Sequence, residues 1–348
     1  MDFPPRPSSS RPRRDRPGDP PEVPAYRNPD TGEWDFDHDA SAFEEEPDVP
    51  AFASEPSRDL PDEPPGGEER SGRATPARMR RRARSETLSR LLWVIPWLIF
   101  AVTVIAVGGL VFTIAMIGLA WVLLGEFFRM TQRARPFQLV AFATAAGMGL
   151  AAYFGDSFQI LLVGVAFFPV MLVFAMTRNS LQNVTWAMSV TVFAVIWIGL
   201  PFAHAVLLRE IPLHGAALLV DVLVATFFTD TFAYLGGRMF GQRPLAPMVS
   251  PNKTIEGLLI GVAGGILGFW LAGLYQDWLS GPEALLMGLC IAILAPLGDL
   301  FESAIKRDLD VKDTGRMLGP HGGLLDRLDA VLFTVVAGYY LSLAIVLP

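Results

Sequence analysis

The sequence predicts an all-α polytopic integral membrane protein of about nine transmembrane helices behind a disordered N-terminal tail. Three observations carry that prediction. Composition changes abruptly near Leu88: the first 87 residues hold 16 of the 28 prolines and 20 of the 35 acidic residues. With few aliphatic side chains, they bury too little apolar surface to offset the entropy of ordering. From Leu91 onward the chain is a series of long apolar runs joined by short polar connections. The charges in those connections are unevenly divided between alternate ones, as expected of a chain threading a bilayer. Residues 1–87 are therefore read as a Pro-, acid- and Arg-rich tail and residues 88–348 as a membrane-embedded domain.

Leu91 to Leu124 carries no charge over 34 residues. As one helix it would measure about 51 Å against a hydrocarbon core of about 30 Å. Two spans turning at Gly108-Gly109 fit better. Further spans are predicted at 137–154, 157–176, 184–208, 214–235, 255–275, 283–301 and 329–347. Arg78, Arg80, Arg81, Arg82, Arg84 and Arg90 precede the first span and should stay cytoplasmic. Starting from there, the inner connections hold 12 basic residues and the outer ones only Arg209. The chain is thus expected in the cell (inner or plasma) membrane, multi-pass, with the tail and both polar loops cytoplasmic.

Composition also excludes function classes. The one cysteine, Cys290, lies in an apolar run, so neither a disulfide framework nor a thiolate cluster forms within one chain. The acidic balance, a pI of about 5.2 set mostly by the tail, argues against a nucleic-acid surface. No cleavable signal peptide is expected, because Met1 to Ser89 lacks an apolar core.

Chemistry concentrates in two stretches. Gly298 to Asp329 packs seven carboxylates, five basic residues and a histidine into a short window. Asp299, Glu302, Ser303, Lys306, Arg307 and Asp310 recur at three- and four-residue steps, giving a polar helical face. A Gly-rich segment follows, then Asp326 and Asp329 one helical turn apart. A charged loop often merely solvates. Asp299 and Asp329, however, stand at the ends of apolar spans, where an unpaired carboxylate costs about 2.5 kcal/mol or more.

The second stretch begins with Asp230-Thr231 inside a span and runs through Gly236, Gly237 and Gly241 to Ser250-Pro251-Asn252-Lys253-Thr254-x-Glu256-Gly257. Free backbone amides, the Ser250 and Thr254 hydroxyls and the Lys253 ammonium are phosphate-handling groups. A Gly-rich hairpin with Ser250 capping the next helix is the plainer reading. All three lysines of the chain (Lys253, Lys306, Lys312) fall in these two stretches. A compact ammonium is favoured there.

Other polar residues have simpler readings. Asp221 is either a metal or proton-relay carboxylate or an interhelical hydrogen-bonding residue. His204 and His214 read as interfacial packing, Glu126 and Arg129 as an ion pair, and Trp93, Trp97 and Trp278 as interface anchors.

Ser303-x-Ile305-Lys306-Arg307, Lys312-Asp313-x-Gly315 and His321-Gly322-Gly323-Leu324-x-Asp326-Arg327-x-Asp329 together resemble the signature of the phosphatidate cytidylyltransferase (CDP-diacylglycerol synthase) family. The agreement runs over 27 residues. Gly319-Pro320 departs from it, standing where relatives often have Pro-Gly. The Asp230-Thr231-x-Ala233-Tyr234 and Ser250-to-Gly257 segments resemble the same family.

The resemblance implies transfer of the cytidylyl group of CTP to phosphatidate (phosphatidic acid), giving CDP-diacylglycerol and pyrophosphate, with membrane lipids as further partners. Asp299, Asp326, Asp230, Asp313, Asp329 and His321 are the expected catalytic residues, with His321 donating to the leaving pyrophosphate. Lys253, Lys306, Arg307, Lys312, Ser303, Ser250, Thr254, Glu256 and Arg327 would bind substrate. Carboxylates gathered around a phosphate substrate require a divalent cation, so Mg²⁺ held by Asp230, Asp299 and Asp326 is expected, with a second ion left open. A homodimer is also left open. A CTP-dependent lipid kinase and an ion-coupled transporter are the alternatives.

Overall fold

The computed structural model describes residues 98–178, 180–315 and 322–346, together with Pro96 and two short pairs, 26–27 and 34–35. Residues 1–73 and 74–348 are separate units. In the first, Tyr26–Arg27 (β1) and Trp34–Asp35 (β2) pair antiparallel, Tyr26 opposite Asp35. The disorder expected over residues 1–87 otherwise concerns residues outside those described, as do Trp93, Trp97 and the Arg78–Arg90 cluster.

The second unit is helical: α1 (Leu98–Val107), α2 (Gly109–Met130), α3 (Gln138–Phe154), α4 (Ser157–Met176), α5 (Val184–Ala194), α6 (Leu200–Arg209), α7 (Gly215–Phe240), α8 (Ile255–Gly273), α9 (Gly281–Asp308) and α10 (Leu325–Leu341). A π-turn at Val195–Gly199 joins α5 to α6, so that the two make one 26-residue span. Pro201, lacking an N–H, follows that turn and accounts for the wider hydrogen-bond spacing. Seven spans are long and apolar enough to cross a membrane, while α1 and α3 are shorter apolar helices. Among the described residues the seven spans and the two shorter apolar helices together are roughly consistent with the expected number of about nine.

The first break falls at the expected glycine pair. Gly108 and Gly109 take φ of 66° and 55°, a left-handed conformation that a side chain disfavours. The turn is clamped from the far end of α6. The Arg209 guanidinium donates to the Ile105 carbonyl at 2.7 Å, and the Glu210 carboxylate accepts from Gly109 N–H at 2.9 Å. Arg209, the one basic residue expected outside, is thus committed to a helix terminus.

Helix starts follow local chemistry. Asp156 and Gln159 form a capping box on α4, as do Ser280 and Glu283 on α9. α7 runs along α8 in the most extensive contact of the fold, and α9 packs against both α8 and α10. Thr226 of α7 donates to Thr334 of α10 at 2.9 Å. Phe127, Phe193, Trp197, Phe301 and Phe333 form a connected ring cluster tying α2, the α5–α6 span, α9 and α10 together. Between α7 and α8, strands β3 (Pro244–Ala246) and β4 (Ser250–Thr254) make an antiparallel hairpin.

Two helices overrun their apolar cores. α9 continues to Asp308 and α10 begins at Leu325, placing Lys306, Arg307, Asp326 and Arg327 on helices. A Schellman-type end stops α9: Val311 N–H bonds Lys306 O and Asp310 N–H bonds Arg307 O, with Asp310 at φ 53°.

Candidate active site

The C-terminal ends of α2, α7 and α9 and the N-terminal ends of α8 and α10 meet at one end of the bundle. There α7 supplies half-buried Asp230, α9 supplies Asp299 and α10 supplies buried Asp329. Asp230 lies within electrostatic reach of Asp329, Asp299 and Lys253, and Asp329 of Asp299. Lys253, from β4, pairs with Asp299 at 2.5 Å. Ser303, one turn beyond Asp299, donates to its carboxylate at 3.3 Å. Three carboxylates from three helices thus gather at one end of the bundle, with the Lys253 ammonium on Asp299.

A second cluster adjoins the first. Lys306 Nζ stands 2.9 Å from Asp326 and 3.2 Å from Glu302. Asp326 also accepts from Thr314 N–H at 3.1 Å and Gly323 N–H at 2.8 Å, so it anchors both ends of the loop between α9 and α10. Glu302, 1% exposed, lies beside Asp329, with the Lys306 ammonium 3.2 Å from one of its oxygens. Two carboxylates buried side by side are costly unless a proton or a cation is shared between them. Glu302 was read only as part of a polar helical face; its burial beside Asp329 is what makes it part of the site.

The Glu126–Arg129 pair expected from their spacing is replaced by a different arrangement. Fully buried Glu126, near the end of α2, accepts from Leu324 N–H at 3.1 Å and Leu325 N–H at 2.8 Å. Those are the first free amides of α10, where a helix dipole favours negative charge. A Cβ on Gly315 would come within 2.7 Å of the Glu126 carboxylate, and one on Gly323 within 2.9 Å. The glycines of the signature let a carboxylate from a distant helix reach the loop backbone.

The hairpin is fixed to the same end. Glu256, in the first turn of α8, accepts from Gln242 and Arg243 N–H at 3.0 and 3.1 Å, and Arg307 donates to Val249 O at 3.2 Å. The cap of α8 is Thr254, whose hydroxyl accepts from Gly257 N–H at 3.1 Å; Ser250, the expected cap, lies in β4. Glu256, Arg307 and Thr254 thereby hold the loop that carries Lys253. Lys312 and Asp313 are exposed on the α9–α10 connection, and Arg327 is exposed on α10. His321 lies outside the described residues, as do Gly319 and Pro320.

The remaining polar residues have structural partners away from this end. Asp221 accepts from Gln276 Nε2 at 2.6 Å, the interhelical hydrogen bond that was one of its two readings. His204 bonds Leu200 O and the Tyr340 hydroxyl, and His214 stacks on Trp278 with ring centroids 4.0 Å apart.

All donors at the site are oxygens, which suits a hard divalent cation rather than a softer metal. Among the described residues no three acidic, His or Cys side chains already stand as a closed ligand set. The Asp230–Asp299–Asp329 grouping, with Glu302 beside Asp329, nonetheless gathers carboxylates whose mutual repulsion a bound cation would relieve.

Comparison with known sequences decides the family. The sequence model of the Cytidylyltransferase family matches residues 88–345, all but the tail and the last three residues. The chain belongs to the cytidylyltransferase family. Its relatives include the phosphatidate cytidylyltransferase of Bacillus subtilis, 34% identical over 251 residues that cover 68% of this chain and 90% of the relative. The phosphatidate cytidylyltransferase of Mycobacterium leprae is 40% identical over 170 residues, 47% of this chain and 53% of that protein. The Escherichia coli protein YnbB, itself uncharacterized, is 40% identical over 166 residues, again 47% and 53%. The chain therefore spans about half the length of two of these relatives and most of the third.

Proposed function

We propose that this chain transfers the cytidylyl group of CTP to phosphatidate at the cytoplasmic face of the membrane, forming CDP-diacylglycerol and releasing pyrophosphate. The observation that carries the reading is the gathering of Asp230, Asp299 and Asp329 at one end of the helical bundle of a cytidylyltransferase-family chain, with Lys253 on Asp299 and the Lys306–Asp326 pair alongside. A lipid phosphate arrives from the bilayer and a triphosphate from water, so a site at the boundary serves both.

The reaction forms a bond from a phosphatidate phosphate oxygen to the α-phosphorus of CTP and breaks the bond from that phosphorus to the bridging oxygen. Pyrophosphate leaves with the bond's electrons. A phosphate monoester has its second pKa near 6, so the nucleophile is largely ionised at neutral pH and needs no strong base. Positioning and charge neutralisation then dominate the rate. Lys253 and Lys306, each held by carboxylates, present ammonium groups to phosphate oxygens. Exposed Lys312 and Arg327 extend that positive surface. Glu126 and Asp326 hold the backbone amides of the α9–α10 loop in place around them. Mg²⁺, when bound by Asp230, Asp299 and Asp329 with Glu302 adjacent, would supply the charge that offsets the triphosphate. In this proposal Asp326, the expected third ligand, holds the loop through its bonds to Lys306, Thr314 and Gly323, and Asp329 takes its place at the cation.

Purified protein supplied with CTP and phosphatidate should make CDP-diacylglycerol and pyrophosphate in equal amounts, and chelation of divalent cations should stop both. Product formation without phosphatidate, or undiminished by chelator, would overturn this reading.

A further inference from the structure

A cavity in the bundle reaches Arg327, and no step above uses it. It encloses about 610 Å³ between α1, α2, α6, α7 and α10, within the range of small-molecule pockets. Its walls are apolar, with Val104, Phe112, Ala205, Leu219 and Leu328 among them. Among the described residues lining it, Arg327 alone is charged. Arg327 belongs to the first turn of α10, between Asp326 and Asp329, so the one polar part of the cavity adjoins the site.

The opposite end is defined by chain position. Phe112 sits one turn into α2, at the end away from Glu126, and Ala205 lies one turn before the Arg209 clamp. Along α10 the lining runs from Leu324 to Val335. Eleven helical rises make that about 16 Å. Half of a hydrocarbon core of about 30 Å is about 15 Å, the depth of one leaflet and so of one extended acyl chain.

We infer that this cavity receives one acyl chain of the phosphatidate, with the phosphate at Arg327, and that the far part of its lining at Phe112 and Ala205 limits the chain length accepted. The inference rests on the proposed reaction for its substrate. A cation at the mouth complements the phosphate, and apolar walls of leaflet depth complement the tail. A soluble apolar molecule would gain nothing from Arg327, and a peptide would leave its backbone unpaired against these walls. Chain selectivity then arises from a few methylenes' worth of space, which an apolar pocket discriminates by about 10- to 200-fold.

Two opposed substitutions test it. Ala205→Phe shortens the cavity and should lower kcat/KM for dipalmitoyl phosphatidate at least tenfold relative to dioctanoyl phosphatidate. Phe112→Ala lengthens it and should move the preference the other way, towards distearoyl. Equal changes for every chain length in both variants would overturn the inference. Because Ala205→Phe can disturb folding, a phosphatidate with a diazirine at its chain end should also be photolysed with the wild-type protein. Label on α2 or α6 near Phe112 and Ala205 supports the cavity; label confined to the exposed face of α4 overturns it. Photolabelling needs no turnover, so failure of the wild type to transfer from CTP would strike the proposed reaction while the labelled positions still decide the cavity.

Discussion

Asp299→Asn should lower kcat at least a hundredfold, on the order of 3 kcal/mol of transition-state stabilisation, while the protein still inserts and purifies as one species. The substitution keeps the volume and removes the charge. Asp299 pairs with Lys253, accepts from Ser303 and shares its surroundings with Asp230 and Asp329, so on the proposed reading the variant loses a cation ligand and frees the ammonium together. Asp230→Asn should cost a similar factor for the first of these reasons. Steady-state assays across Mg²⁺ concentrations separate the effects: in both variants the concentration of half-maximal activity should rise. Near-normal turnover in either variant would remove that residue from the site.

Glu126→Ala should cost stability and activity together although Glu126 touches no substrate. It strands Leu324 N–H and Leu325 N–H in a buried place, each at about 1–3 kcal/mol. The loop they anchor carries the Asp326 contacts to Thr314 and Gly323. A drop of several degrees in Tm and at least a tenfold fall in kcat are expected. Glu126→Gln, which keeps one acceptor oxygen, should recover part of both. A wild-type Tm in Glu126→Ala would refute the anchoring role. A lowered Tm with unchanged kcat would make the contact structural only.

Much of this was legible in the chain. The apolar runs showed where the helices lie, because a helix of 34 uncharged residues overshoots a bilayer and the Gly108-Gly109 pair marks where it turns. Asp230, Asp299, Asp329 and Lys253 stood out because charge at a span's end is costly unless used. Glu126 did not, because its partners lie 198 and 199 residues away and a local neighbour, Arg129, offered an easier pairing. The signal that could have found it was an acid inside an otherwise apolar run. Spacing also could not divide the labour between Asp326 and Asp329. They sit one turn apart on α10, and only the crossing with α9 turns one towards Lys306 and buries the other beside Glu302. The cavity was invisible because its lining is drawn from five helices of ordinary apolar composition.

The central claim concerns which phosphorus is attacked, and labelled CTP tests it most directly. With phosphatidate and Mg²⁺ present, CTP labelled at the α-phosphorus should place its label on a chloroform-soluble lipid, and CTP labelled at the γ-phosphorus should place it on pyrophosphate. Label from the γ position on the lipid, with release of CDP, would instead make this protein a lipid kinase and contradict the account.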